Sequence, residues 1–169
     1  MPMARRTLLR AFIGGAAAIP VAACERRVSS ATGDAAVLDP VVIQPPTSPN
    51  HFLAAPAGAT RAVPDAPAPV FALPADRLAD AWVRVLRAQP RVEVVSRSPD
   101  GLLIAATATT AVMGFVDDVV ARVLPQGEGR STIAVYSASR VGYWDIGTNR
   151  ARITAWLAAL DAEVRRTGA

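Results

Sequence analysis

The hydrophobic pattern of the chain changes at Pro74. From Pro74 to Pro90, apolar residues recur at helical spacing, as at Leu78, Trp82 and Val85, which predicts an amphipathic helix. Proline suits the first turn of a helix and ends one further along, so Pro74 and Pro90 mark its two ends. Residues 25–73 keep no helical or strand period, and eight of the fourteen prolines lie between positions 40 and 69. Because proline fixes φ and removes a donor, this segment is predicted to be largely extended.

After the first helix the pattern becomes that of strands. Four apolar or alternating runs, joined by short turns, lie at residues 91–98, 102–114, 115–125 and 131–139. From Thr148 to Arg166 an apolar stripe returns at helical spacing, formed by Ile153, Trp156, Leu157, Leu160 and Val164. Thr148 or Asn149 is expected to cap this helix and Gly168 to end it. The predicted fold is α+β: a helix, a four-stranded antiparallel meander and a helix, forming a two-layer sandwich with both helices on one face.

The proline-rich segment has two readings, a flexible tether or a strap that packs along the domain. We expect a tether over residues 24–38 and a strap over residues 39–73, ahead of an α+β domain at 74–169. The apolar residues expected to hold the strap are Val41, Val42, Ile43, Phe52 and Phe71. Trp82 and Trp156 lie on the helix stripes and are expected in the core, whereas Tyr143 and Trp144 lie in a glycine-containing loop and form either a contact surface or a cover for the strap.

The first 23 residues have the pattern of an export signal peptide, with a basic start followed by a short apolar run. The run ends in Val21-Ala22-Ala23-Cys24, which resembles the lipobox of bacterial lipoproteins. Cys24 would then carry a diacylglyceryl group with acyl chains such as palmitate; the alternative is an ordinary signal peptide followed by a buried or free cysteine. Arg5-Arg6 resembles a twin-arginine export motif, against a plain basic segment for general secretion. The expected location is the cell envelope, anchored to a membrane and facing the periplasm, and Glu25 after the cysteine favours the outer membrane.

Removal of the signal peptide changes the charge of the chain. All 18 basic residues are arginine, against 14 acidic residues, for a net charge of +4. The first 23 residues carry three arginines and no acid, which leaves the mature chain near neutrality. The charge therefore gives no support to nucleic-acid binding. Cys24 is the only cysteine, so no disulfide forms within the chain, and acylation would leave no thiol for catalysis or metal binding.

Polar side chains gather where the last two strands meet the last helix. Alternation places Asp117 on the more apolar face of its strand, where a buried carboxylate needs a partner. On the next strand Ser137 and Ser139 continue the face of Ile133 and Val135. The expected cluster at this end of the sheet consists of Asp117, Ser137, Ser139, Arg140, Asp145, Asn149 and Arg150.

The same residues carry a resemblance to a known family. "GFVDDVV" followed by "YSASRVGYWDIGTNRARI" resembles the domain-of-unknown-function family numbered 1499, and "SPNHF" resembles its N-terminal motif. His51 stands where members often have cysteine, and Tyr136 where they often have arginine. The resemblance covers about residues 39–160. It implies a domain met in bacterial envelopes and plastids, with no established activity.

Three interpretations of the cluster remain open at this stage. In the first it is architectural: Arg140, Asp117 and Asp145 neutralise one another and Asn149 caps the helix. In the second it binds a small anion or polar envelope ligand, with Arg140 and Arg150 as cations. In the third it is a hydrolase or transferase site, using Ser137 or Ser139 with His51 and an aspartate. Asp118, on the other face, is expected to pair with Arg122. The sequence shows no metal-ligand cluster and no cofactor motif, so we expect a binding or scaffolding module whose partner is unknown.

Overall fold

The computed structural model describes residues 38–167, and these residues form six strands and two helices. The predictions for the signal peptide, Cys24, the tether up to residue 37 and Gly168 lie outside the described residues. The elements in chain order are β1 (His51–Ala54), β2 (Val70–Phe71), α1 (Ala75–Ala88), β3 (Val92–Arg97), β4 (Leu103–Thr109), β5 (Val116–Pro125), β6 (Ser131–Ser139) and α2 (Thr148–Thr167). Neither helix of this range is long and apolar enough to cross a bilayer.

All strands belong to one antiparallel sheet in the order β1-β6-β5-β4-β3, with β2 also paired to β6. The predicted helix, four-stranded meander and helix are confirmed as α1, β3–β6 and α2. The proline-rich strap differs from a simple extended cover because it adds β1 and β2 along the free edge of β6. These two strands are four and two residues long, too short to show a period in the sequence. They pair an edge that would otherwise present open backbone groups.

Both helices pack on one face of the sheet, as predicted. Trp82 of α1 and Trp156 of α2 are buried and meet edge to face with ring centroids 6.2 Å apart, a favoured arrangement of aromatic rings. Ile153 and Leu160 continue the buried stripe of α2 into the same core. The apolar sheet residues of this core, such as Val119 and Val135, come from alternate positions along each strand.

The strap covers the opposite face of the sheet. Ile43 packs there with Leu53 and Tyr136 in a second apolar cluster. Phe52 of β1 and Phe71 of β2 belong instead to the main core, under the helices. Of the predicted strap contacts, Val42 is wrong, because its side chain is exposed to solvent. Asp39 at the start of the strap is held by Arg122, with its Oδ2 atom 2.6 Å from Nη2 of the arginine.

Tyr136 makes the stability of this second cluster sensitive to high pH. Its side chain is only 2% exposed, and burial, with smaller contributions from Asp65 and Asp118, raises the pKa of its phenol from 10.0 to about 12. The folded state then holds the proton more tightly than the unfolded state. The contribution of Tyr136 to stability is complete well below pH 10 and is lost as pH rises from 10 toward 12, by about 1 kcal/mol per pH unit.

We therefore expect the free energy of unfolding, measured with urea, to be about 1 kcal/mol lower at pH 11 than at pH 10. The matched variant is Tyr136→Phe, which keeps the ring and removes only the titrating hydroxyl. It should show no such step over that interval. An equal loss in both proteins would assign the effect to another group.

Candidate functional site

A buried polar network lies where β5 and β6 meet the first turn of α2. Asp117 faces the helices from β5, is only 1% exposed, and pairs in register with Ser139 of β6. Ser137 is fully buried two residues earlier on β6. The alternation of strand side chains therefore places these three predicted residues on one face, as expected.

Arg152 on α2 supplies the positive charge of this network. Its Nη2 atom donates a hydrogen bond to Oδ2 of Asp117 in a buried ion pair. Its Nη1 atom donates to Oγ of Ser137 at 3.0 Å and to Oδ1 of Asn149 at 2.6 Å. Ser137 in turn donates its own hydroxyl to Oδ1 of Asn149 at 2.6 Å. The carboxylate of Asp117 is thus neutralised by a residue outside the predicted cluster.

Asn50, just before β1, ties the strap to the same network. Its carbonyl oxygen accepts hydrogen bonds from Nδ2 of Asn149 at 2.9 Å and from the backbone N–H of Ser139 at 3.0 Å. Its own Nδ2 donates to the carbonyl of Gly142 at 2.6 Å. The strap therefore crosses the corner formed by β6 and α2, and the motif around Asn50 contacts the C-terminal motif directly.

Asp145 caps the start of α2. Its two carboxylate oxygens accept the backbone N–H groups of Gly147 and Asn149, each at 2.9 Å. These donors are the unsatisfied groups that a helix N-terminus presents. The expected caps, Thr148 and Asn149, are wrong in detail, because Asn149 turns its side chain into the buried network instead. With a carboxylate already in place, this helix end is not open to a ligand anion.

Arg140 and Arg150, both members of the predicted cluster, lie outside the observed network. Arg140 follows Ser139 and so points to the other face of the sheet, where it binds both oxygens of Asp118. This ion pair raises the pKa of Arg140. Arg150 is exposed on α2 and lies over the ring of Phe52. The anion site built on these two arginines is therefore wrong.

The neighbouring ion pair predicted between Asp118 and Arg122 is also wrong. Arg122 binds Asp39 and Asp100 instead, which holds the start of the strap and the β3–β4 turn together. Asp118 forms its ion pair with Arg140, its diagonal neighbour on β6.

His51 is not placed to act as the base that the catalytic interpretation requires. His51 pairs in register with Ala138, and its ring packs 5.8 Å from the ring of Tyr136. Because Ala138 and Tyr136 alternate with the serines, His51 lies on the opposite face of the sheet from Ser137 and Ser139. Its Nδ1 atom is already 2.8 Å from the carbonyl oxygen of Ser48. A serine–histidine pair is therefore not formed.

The network forms the floor of a cleft of about 560 Å³. Asp117, Ser139 and Arg152 lie in its lining, below walls made by the α1–β3 junction, the β4–β5 turn and the β6–α2 loop. Apolar wall residues include Val92, Ala108, Met113, Phe115, Trp144 and Trp156. Oδ1 of Asp117 is buried and has no hydrogen-bond partner among residues 38–167. Asp117 itself lines the cleft, so this unpartnered carboxylate oxygen belongs to a residue of the cleft wall.

Arg152 and Asn50 are site residues that the sequence pattern did not single out. A signal for Arg152 was present: it lies three residues after Asn149 and four before Trp156, which places it on the buried stripe of α2. Asn50 had no comparable signal, since it acts mainly through its backbone carbonyl. Within residues 38–167 no group of three histidine, cysteine, aspartate or glutamate side chains is arranged to hold a metal ion. The predicted acylation site, Cys24, is outside this range.

Comparison with solved structures gives only distant similarity. The crystal structure of TTHA0849 from Thermus thermophilus matches with a TM-score of 0.36 and 11% identity, over 70% of this chain and 99% of that one. A START superfamily protein from Mycobacterium smegmatis matches with a TM-score of 0.36 and 13% identity, over 59% and 94%. Both scores are too low to support a functional argument. No curated protein sequence matches the chain.

The sequence of the domain itself places the chain in a family. Residues 42–160 match the family described as "Protein of unknown function (DUF1499)". This range begins in the strap and ends on α2, so it contains Asn50, the β5 and β6 residues of the network and Arg152. On this match, which covers most of the chain, the protein belongs to the DUF1499 family.

Proposed function

We propose that the protein is a membrane-anchored lipoprotein of the cell envelope, facing the periplasm, and that its domain is a non-enzymatic module that binds an amphipathic ligand in the cleft. The observation that carries the binding proposal is a buried carboxylate with one unpartnered oxygen, that of Asp117, among the lining residues of a largely apolar cleft. The lipobox at Cys24 supports the anchoring, and Glu25 after it supports the outer membrane as the destination.

The charges of the cleft floor favour a ligand with a neutral or weakly basic head group. Arg152 already neutralises Asp117, and its Nη1 group is engaged with Ser137 and Asn149. The cation at the cleft floor is therefore already paired, whereas one oxygen of Asp117 is not. A ligand hydroxyl, amide or amine that donates to Oδ1 of Asp117 would relieve a buried, unsatisfied acceptor, which costs about 1–3 kcal/mol.

The cleft walls favour an apolar body attached to that head. Val92 and Ala108 lie on one side and Trp156 on another, and these side chains are predominantly apolar. A cleft of about 560 Å³ lies within the usual range for small-molecule sites, which are mostly apolar with a few polar groups. The ligand class is therefore an apolar molecule with one hydrogen-bond donor.

Phenylnaphthylamine is a suitable probe, since it joins two apolar ring systems to one N–H donor and fluoresces more strongly in apolar surroundings. We expect saturable binding to the chain from Glu25 onward, which contains every described strand and helix. Ala108→Leu should fill the floor beside Asp117, its register partner. This change should weaken binding at least about tenfold, a loss of about 1.4 kcal/mol or more.

The matched control is Ala105→Leu, which adds the same side chain to the same strand on the opposite face of the sheet. It should bind the probe as the unmodified protein does. Val92→Phe, on the cleft wall, provides a second blocking variant if Ala108→Leu unfolds more easily in urea. Unsaturable binding, or equal affinity in the blocked and control variants, would rule the cleft out as a ligand site.

A further inference from the structure

The mouth of the cleft is surrounded by large apolar side chains that no part of the described fold covers. They come from the β4–β5 turn and the β6–α2 loop, which lie at the same end of the sheet because Thr109 pairs with Val116 and Asp117 with Ser139. We define the apolar rim as Val112, Met113, Phe115, Tyr143, Trp144 and Ile146. Contiguous exposed apolar groups of this kind mark interaction sites on soluble domains.

Ile146 shows that this exposure is not a by-product of folding. Its side chain is 98% exposed, and its backbone has φ = 52°, a conformation that β-branched residues rarely adopt. The residue thus contributes no burial to the core and occupies an unfavourable backbone conformation. Asparagine or glycine would serve the turn at lower cost. Contact with a partner beyond residues 38–167 would account for the isoleucine side chain.

The geometry points to a phospholipid bilayer as that partner: the apolar rim inserts into the membrane interface, and the cleft opens onto the bilayer. This inference goes beyond the binding cleft and does not require the cleft to be occupied. The rim is formed by two loops at one end of the sheet, and exposed apolar side chains on loops can insert into a deformable lipid surface. Tyr143 and Trp144 belong to the residue types that favour the membrane–water interface.

The charges beside the rim agree with an anionic lipid surface. Arg91 lies in the cleft lining and Arg150 borders the groove that contains Trp144 and Ile146. Both are exposed, and neither forms an ion pair within residues 38–167. The nearby carboxylate of Asp145 is engaged in capping α2. Cations of this kind add electrostatic attraction to apolar insertion at an anionic membrane.

The predicted tether is long enough for the apolar rim to reach the membrane in which Cys24 would be anchored. Asp39 is fixed by Arg122, five positions along β5 from Asp117, so the tether enters the fold roughly 17 Å from the cleft end of that strand. About 14 residues separate Cys24 from Leu38, and an extended chain of that length reaches up to ~50 Å. A domain anchored at Cys24 can therefore place its rim on the same bilayer.

Vesicle binding by the unacylated chain from Glu25 onward tests the inference without the anchor. We expect it to co-sediment with vesicles of phosphatidylcholine containing phosphatidylglycerol, and less with phosphatidylcholine alone. Trp144 is the exposed tryptophan, at 72%, while Trp82 and Trp156 are buried. Brominated lipids should therefore quench the emission of Trp144 in the bound protein.

The double variant Trp144→Ala with Ile146→Ser should reduce vesicle partitioning at least about tenfold, because binding scales with the apolar area inserted. The matched control is Val63→Ser, which removes an apolar side chain that is 91% exposed on the strap. It should bind as the unmodified chain does, and so should the cleft-blocked Ala108→Leu. Sedimentation without quenching, equal binding by the rim variant and its control, or a rim-dependent dimer that ignores vesicles would each overturn the inference.

Discussion

Replacement of Arg152 by alanine should lower the free energy of unfolding by about 3–5 kcal/mol, since it leaves a buried carboxylate without its counter-charge. The side chain of Arg152 is 9% exposed, and that of Asp117 is almost fully buried. The same change removes both hydrogen bonds that Arg152 donates to Ser137 and Asn149. Equilibrium unfolding in urea, followed by circular dichroism, measures the loss.

The structure provides a close control one residue further along β5. Asp118 and Arg140 form an ion pair of the same residue types on the other face, where the arginine side chain is 52% exposed. Arg140→Ala should cost only about 0.2–1 kcal/mol, the usual value of a surface pair. The loss in the free energy of unfolding should therefore be several-fold larger for Arg152→Ala than for Arg140→Ala, although the two arginines pair with adjacent aspartates.

A second variant separates the loss of charge balance from the loss of packing. Asp117→Leu combined with Arg152→Met removes both charges and retains apolar volume, so it should be much more stable than Arg152→Ala. Ser137 and Asn149 keep the hydrogen bond that joins them directly. If the double variant is as unstable as the single one, or if Arg152→Ala costs no more than Arg140→Ala, the ion pair is not what stabilises this corner.

The alternation of strand side chains accounts for the part of the site that is predictable from sequence. It places Asp117, Ser137 and Ser139 together on the helix-facing side. The same rule, carried one residue further, places Arg140 on the opposite face, because it follows Ser139 directly. The prediction of Arg140 as a partner followed its charge and its position near the turn, and neglected the direction of its side chain.

Arg152 shows a related gap in the interpretation of the last helix. The apolar residues of α2 mark its buried stripe only from Ile153 onward, and this pattern omits Arg152, one turn before Trp156. A buried carboxylate requires a cation within reach, so the helix position three residues after Asn149 was the place to look for one. Burial and charge balance together select Arg152 over Arg150, whose exposed side chain lies over the ring of Phe52.

The strap and the cleft depend on tertiary contacts that the local pattern does not contain. β1 and β2 form because the edge of β6 is available, and Asn50 matters through a carbonyl oxygen that every residue type has. The cleft arises from three segments far apart in sequence, around Val92, Phe115 and Trp144. The exposure of the rim residues likewise becomes visible only when both loops are seen at one end of the sheet.

Removal of the proposed lipid anchor should have the strongest effect on where the protein is found in the cell. If residues 1–24 are replaced by a cleavable secretory signal that lacks a lipobox, the exported chain should move from the membrane pellet to the soluble periplasmic fraction. Each buried methylene of an acyl chain contributes about 0.8 kcal/mol, so two chains outweigh the contribution of a few rim side chains. In the unmodified protein, an acyl label and the mass of the lipid should be found on Cys24.

The rim and the anchor should then make separable contributions to membrane binding. With the anchor present, Trp144→Ala with Ile146→Ser should leave the protein in the pellet, because the acyl chains alone retain it. Without the anchor, the chain should keep a weak association that salt reduces, since exposed arginines act through screened charges, and the rim variant should abolish it. A chain that stays in the pellet after an alkaline wash without Cys24 would contradict the lipid anchor. Loss of the residual association in Val63→Ser as well as in the rim variant would instead contradict the rim.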